Sequence, residues 1–135
     1  MFDVDVDRAL EFLAALPGVD GTRLGAMGAS CGGSQALLLA SRSENVRALV
    51  FLSSSLPMIS EEDIVLFERN RDVPLFTIAA ESDEGAAAAA RRLFDRSRND
   101  GSRFLLYKGH EHGVPLFERD PALVTEIVAF FLANL

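Results

Sequence analysis

Gly28-Ala29-Ser30-Cys31-Gly32-Gly33 lies between the apolar run Thr22 to Gly28 and the apolar run Gly32 to Ser41. A serine with glycine two before and two after fits a sharp strand-to-helix turn. Glycine at 28 and 32 lets the backbone crowd there, and the turn pushes the Ser30 hydroxyl out over the end of a sheet. The N–H of Cys31, at a helix N-terminus, then points to where an oxyanion would form. A plain tight loop with Ser30 capping the helix is the competing reading of the same residues.

Working outward, Val6, Ala9, Leu10, Phe12, Leu13 and Leu16 recur at helical spacing and predict an amphipathic core helix over 5–16, ended by Pro17-Gly18. Strands are expected at 22–28, at 46–52, at 73–80 with Pro74 tolerated near its start, and at 102–107. Helices are expected at 32–41, 60–69, 84–98 and 121–133, the last opened by Pro121. Ser53-Ser54-Ser55 closes the second strand, and 108–120 reads as loop. Strands alternating with helices predict an α/β domain over 1–135, with a four-stranded parallel sheet in sequence order.

In such a sheet, functional residues gather at the carboxyl ends of strands. Three groups fall there in chain order: Ser30, then Glu81-Ser82-Asp83, then the chain's two histidines in Gly109-His110-Glu111-His112-Gly113. A serine nucleophile needs a base, and the base needs a carboxylate to fix its tautomer. Asp83 is the first choice of acid, with an N-cap as its structural role. Glu81 is the runner-up, and Glu84 reads as a first-turn charge that complements the helix dipole. His112 is the first choice of base because Gly113 lets the loop bend at the imidazole, whereas His110 lines the pocket or faces solvent. Two alternating loop histidines make a poor zinc set, so no metal is expected. Cys31 is expected as a small buried filler at the pocket floor, the apex of the turn belonging to Ser30.

Bulk properties exclude other classes. With 135 residues, 49% hydrophobic and 24% charged, the chain is long enough to bury a core. A net charge of −7 argues against nucleic acid and anionic membrane as partners. One cysteine cannot form an intramolecular disulfide, and the acidic start Met1 to Asp7 is unlike a signal peptide, so a cytoplasmic location is expected. No apolar run approaches the roughly 20 residues of a membrane span.

The segments 28–33, Ala79-Ala80-Glu81-Ser82-Asp83 and His112-Gly113 resemble the nucleophile, acid and histidine segments of the α/β-hydrolase superfamily. The likeness is greatest to dienelactone-hydrolase-like and prolyl-oligopeptidase-like hydrolases. It implies Ser30 as nucleophile, Asp83 as orienting acid, His112 as general base and no cofactor. Dienelactone hydrolases carry cysteine where this chain has Ser30, which points to ordinary ester hydrolysis of small molecules. The likeness is to the C-terminal half of that fold, without the preceding strands and the loop that supplies a second oxyanion donor. A missing donor typically costs ~10²–10³ in rate, so feeble catalysis is expected of the chain alone. A non-catalytic α/β module serving in assembly is the other reading. With helices mainly on one side of the sheet and the 22–28 edge open, a homodimer is expected, two copies meeting at that edge.

Overall fold

The computed structural model describes residues 2–55, 60–70 and 72–135. Helix α1 (Phe2–Ala14) precedes strand β1 (Leu24–Ala29), helix α2 (Cys31–Arg42), strand β2 (Val46–Leu52) and helix α3 (Glu61–Asn70). Strand β3 (Leu75–Ala80), helix α4 (Glu84–Arg96), strand β4 (Arg103–Tyr107), helix α5 (Pro115–Arg119) and helix α6 (Ala122–Asn134) complete the order. The strands lie side by side as β1-β2-β3-β4, all neighbours parallel, as the alternating pattern predicts. Among the described residues no helix is long and apolar enough to cross a membrane.

The central strands β2 and β3 are apolar on both faces because both faces are covered. Leu49, Phe51 and Leu75 pack against Leu37 and Ala40 of α2, Ile64 and Phe67 of α3, and Leu93 of α4. On the opposite face Val50, Leu52, Phe76 and Ile78 pack against Leu116, Leu123, Ile127 and Phe130. This corrects the expectation of helices mainly on one side. The terminal helix, α6, crosses beneath the sheet, and Phe130 stacks at a tilt on Phe76 with ring centroids 5.5 Å apart.

Two further expectations change. Segment 108–120 is not all loop: Pro115 opens the short helix α5, whose Leu116 is fully buried and anchors the turn. The 5–16 segment is not plain core either: Phe12, Leu13 and Leu16 are exposed, and among the described residues Val6 and Leu10 of α1 pack onto the main cluster.

Candidate active site

Ser30 stands between β1 and α2 at φ +53°, a left-handed conformation that an L-residue adopts only when its surroundings impose it. Its N–H donates to the Leu52 carbonyl of β2 (2.9 Å), and its carbonyl accepts from Gly33 N–H (3.0 Å). The side chain makes no helix-capping hydrogen bond, so the capping role is unused. Gly28 is indispensable to this turn, because a Cβ there would collide with the Gly32 and Gly33 backbone. Gly32 is different: a Cβ there meets open space, and the second tight glycine is Gly33, which faces Ser54 and the Gly28 carbonyl. Gly28→Ala is expected to lower stability by about 2 kcal/mol or more, as overpacking against rigid backbone does. Gly32→Ala is expected to cost under about 0.5 kcal/mol. Urea unfolding of the two variants tests this difference.

Cys31 opens α2, so its N–H is among the first four of the helix, which have no intrahelical acceptor. Its side chain is exposed, not a buried filler. The turn sends position 31 outward beside a groove against α1.

Asp83 occupies the N-cap position of α4, yet its carboxylate makes no capping bond. Instead Asp83 Oδ2 lies 2.5 Å from His112 Nδ1, bridging 29 residues of sequence. Glu81 and Glu84 are exposed, as is His110. Gly113 has φ +70°, the bend expected next to the imidazole, and a methyl built on it would lie 3.8 Å from Ala29 Cβ. The residue after His112 therefore packs beside the residue before Ser30. Among the described residues no three His, Cys, Asp or Glu side chains gather as a metal site.

Contacts that sequence reading missed hold this edge in place. Gly109 (φ +112°) accepts from Ser82 N–H (2.9 Å), and Glu81 N–H donates to the Tyr107 carbonyl (2.8 Å), so β3 and β4 stay paired beyond their ends. Arg119 Nη1 donates to Glu111 Oε2 (2.7 Å), tying the histidine loop to α5. The Glu111 carboxyl is held below its ordinary pKa chiefly by its own backbone N–H, which outweighs the opposing effect of desolvation, with Arg119 adding a smaller lowering. That depressed pKa stabilises the loop above the carboxyl's unfolded pKa, and the effect is lost as pH falls through the folded value. The Tyr107 hydroxyl donates to Asp120 Oδ2 (2.7 Å), and burial followed by that carboxylate raises the Tyr107 pKa. Ser34 and Ser54 share a buried 2.9 Å hydrogen bond that fastens α2 to the end of β2. Next to it Ser53 is fully buried at φ +45°, its Oγ without a hydrogen-bond partner among the described residues. The serine run 53–55 was the only sequence signal of this corner.

A family model described as BAAT / Acyl-CoA thioester hydrolase C terminal matches residues 6–103. The chain belongs to that family. The match includes Ser30 and Asp83 and ends before His112. Among solved structures, the chain is similar to a dienelactone hydrolase from Anabaena variabilis (22% identity, TM-score 0.75), covering 98% of this chain and 59% of that one. An esterase of Pyrococcus furiosus is 15% identical with TM-score 0.74, covering 97% of this chain and 60% of the other. An acylaminoacyl peptidase of Pyrococcus horikoshii is 16% identical with TM-score 0.66, covering 90% and 26% respectively. At these identities the likeness shows the fold, which is α/β-hydrolase-like. No match is found among the curated proteins.

Proposed function

We propose that this chain is a serine hydrolase that cleaves small carboxylic esters through an acyl-enzyme. The Asp83–His112 hydrogen bond carries this reading, because a carboxylate at a helix N-cap leaves its expected capping role to hold an imidazole whose neighbour Gly113 packs beside Ala29, the residue before Ser30. With Nδ1–H donated to Asp83, Nε2 keeps its lone pair for the Ser30 proton. Ser30 Oγ then bonds to the ester carbonyl carbon, and the Cys31 N–H donates to the developing oxyanion. The carbonyl re-forms as the alkoxy group leaves with the proton from His112. Water, deprotonated by the same imidazole, releases the acid and restores Ser30.

The family description names acyl-CoA thioesters and two of the structural neighbours are named for ester chemistry. Thioester carbonyls yield to the same steps, but a chain with net charge −7 repels a polyanionic coenzyme A ester, which ranks neutral small esters first. No cofactor enters this chemistry, and the cytoplasm is the proposed location on the grounds of composition alone. The second reading is a non-catalytic assembly module; the chain spans 59% and 60% of the length of two neighbours. Hydrolysis of p-nitrophenyl acetate and butyrate, compared with acetyl-CoA, separates these readings. Ester turnover supports the hydrolase, a preference for acetyl-CoA replaces the substrate class, and a folded protein with no turnover supports the module.

A further inference from the structure

We propose that Ser54 is a positioning residue for the nucleophile turn, its buried hydroxyl holding the first turn of α2 so that Ser30 keeps its left-handed conformation. The proposal rests on the reading of Ser30 as nucleophile. At φ +53° Ser30 is held by two backbone bonds of its own, one donated to Leu52 and one accepted from Gly33. Such a conformation persists only where the surroundings over-determine it.

Ser54 adds restraint in two directions. Its Cβ would stand 2.8 Å from a Cβ built on Gly33, the residue whose N–H closes the turn onto Ser30, so α2 cannot move closer to the end of β2. Its Oγ lies 2.9 Å from Ser34 Oγ, both residues being buried, so α2 cannot withdraw without orphaning two hydroxyls.

The chain bends to bring Ser54 there. Phe51 faces the cluster under α2 and Leu52 the opposite one, so an uninterrupted strand would send position 54 to the Leu52 face. Instead the backbone turns at Ser53, φ +45°, and Ser54 meets α2. That conformation is costly for a residue other than glycine, and no side-chain hydrogen bond at the fully buried Ser53 offsets it among the described residues. Among those residues Ser30 and Ser53 are the two of positive φ that are not glycine, and they stand side by side where Ser30 N–H donates to the Leu52 carbonyl. The next residue reaches the acid's helix: a Cβ built on Gly85, two after Asp83, would lie 3.6 Å from Ser55 Cβ. The serine run therefore touches the first turns of both α2 and α4, the helices that follow Ser30 and Asp83.

The test compares Ser54→Ala, Ser34→Ala and their double variant with Ser41→Ala, which deletes a buried hydroxyl at the far end of α2, where Ser41 Oγ donates to the Leu38 carbonyl. Ser54→Ala is expected to lower kcat for p-nitrophenyl butyrate and the rate of fluorophosphonate labelling together by about 10- to 100-fold, with KM within about twofold, as a small misplacement of a reacting group does. The double variant, which leaves no orphaned hydroxyl, is expected to be no slower than either single one, because the two serines share one bond. Ser41→Ala should keep the parent rates, and an equal loss there overturns the proposal. Amide hydrogen exchange reads the turn without recourse to turnover: at Ser30 and Gly33 it is expected to quicken about tenfold in Ser54→Ala, with the β2–β3 amides unchanged. Unchanged exchange at Ser30 and Gly33 overturns the proposal, and so does faster exchange there with labelling and kcat at the parent values. Faster exchange in a protein whose parent form neither labels nor turns over supports Ser54 as the holder of the turn and removes the nucleophile reading instead.

Discussion

Ser30→Ala is expected to bring ester hydrolysis down to the uncatalysed background, a loss of about 10⁴-fold or more when a nucleophile that acts as part of a unit is removed. The variant should fold as the parent does, since the Ser30 hydroxyl makes no capping bond and its backbone bonds to Leu52 and Gly33 survive the change. Ser30→Gly sharpens the test. At φ +53° glycine bears no Cβ penalty, so this variant is expected to be about 1 kcal/mol more stable and equally inactive. Stability rising while activity vanishes is the behaviour of strain kept for chemistry. Steady-state hydrolysis of p-nitrophenyl butyrate beside urea unfolding measures both. Turnover that persists in either variant at the parent rate removes Ser30 from the mechanism.

His112→Ala is expected to be nearly as damaging as Ser30→Ala, and the double variant scarcely worse than either single one, because the two groups act together. His110→Ala should change little, because it is His112 whose Nδ1 meets Asp83. Asp83→Asn is expected to reduce turnover by about 10⁴-fold, since an amide that donates to Nδ1 forces the proton onto Nε2, where Ser30 needs the lone pair. Its fold should be unaffected, because Asp83 makes no side-chain cap to lose. Rates for the four variants on one ester decide the assignments. A His110→Ala loss exceeding that of His112→Ala moves the base to His110, and a Glu81→Gln loss exceeding that of Asp83→Asn moves the acid to Glu81.

Periodicity made the sheet readable in advance. Each of the four strands falls within a residue or two of its apolar run, and the strand order follows from the parallel crossovers. Which face each helix covers was not readable in the same way. In α6 apolar residues surround the helix, so the pattern does not say that Leu123, Ile127 and Phe130 face the sheet while Val124, Val128 and Leu132 face outward. Helix α5 escaped because five residues are too few for a period to show. At the site, residue type and chain order brought out Ser30, Asp83 and His112, and the Asp83–His112 pair is in direct contact. The supports were hidden because they join side chains distant in sequence. Ser34 with Ser54 is one such pair, and Tyr107 with Asp120 is another. The strain at Ser53 is a backbone property with no composition signal.

Covalent labelling shows directly whether Ser30 is an activated nucleophile. The chain is treated with a fluorophosphonate, and the adduct is located by intact-mass measurement and peptide mapping. One adduct per chain is expected, on the peptide that carries Ser30, absent in Ser30→Ala and strongly slowed in His112→Ala. No adduct on the folded chain, or an adduct at another residue that forms equally well in Ser30→Ala, would contradict it.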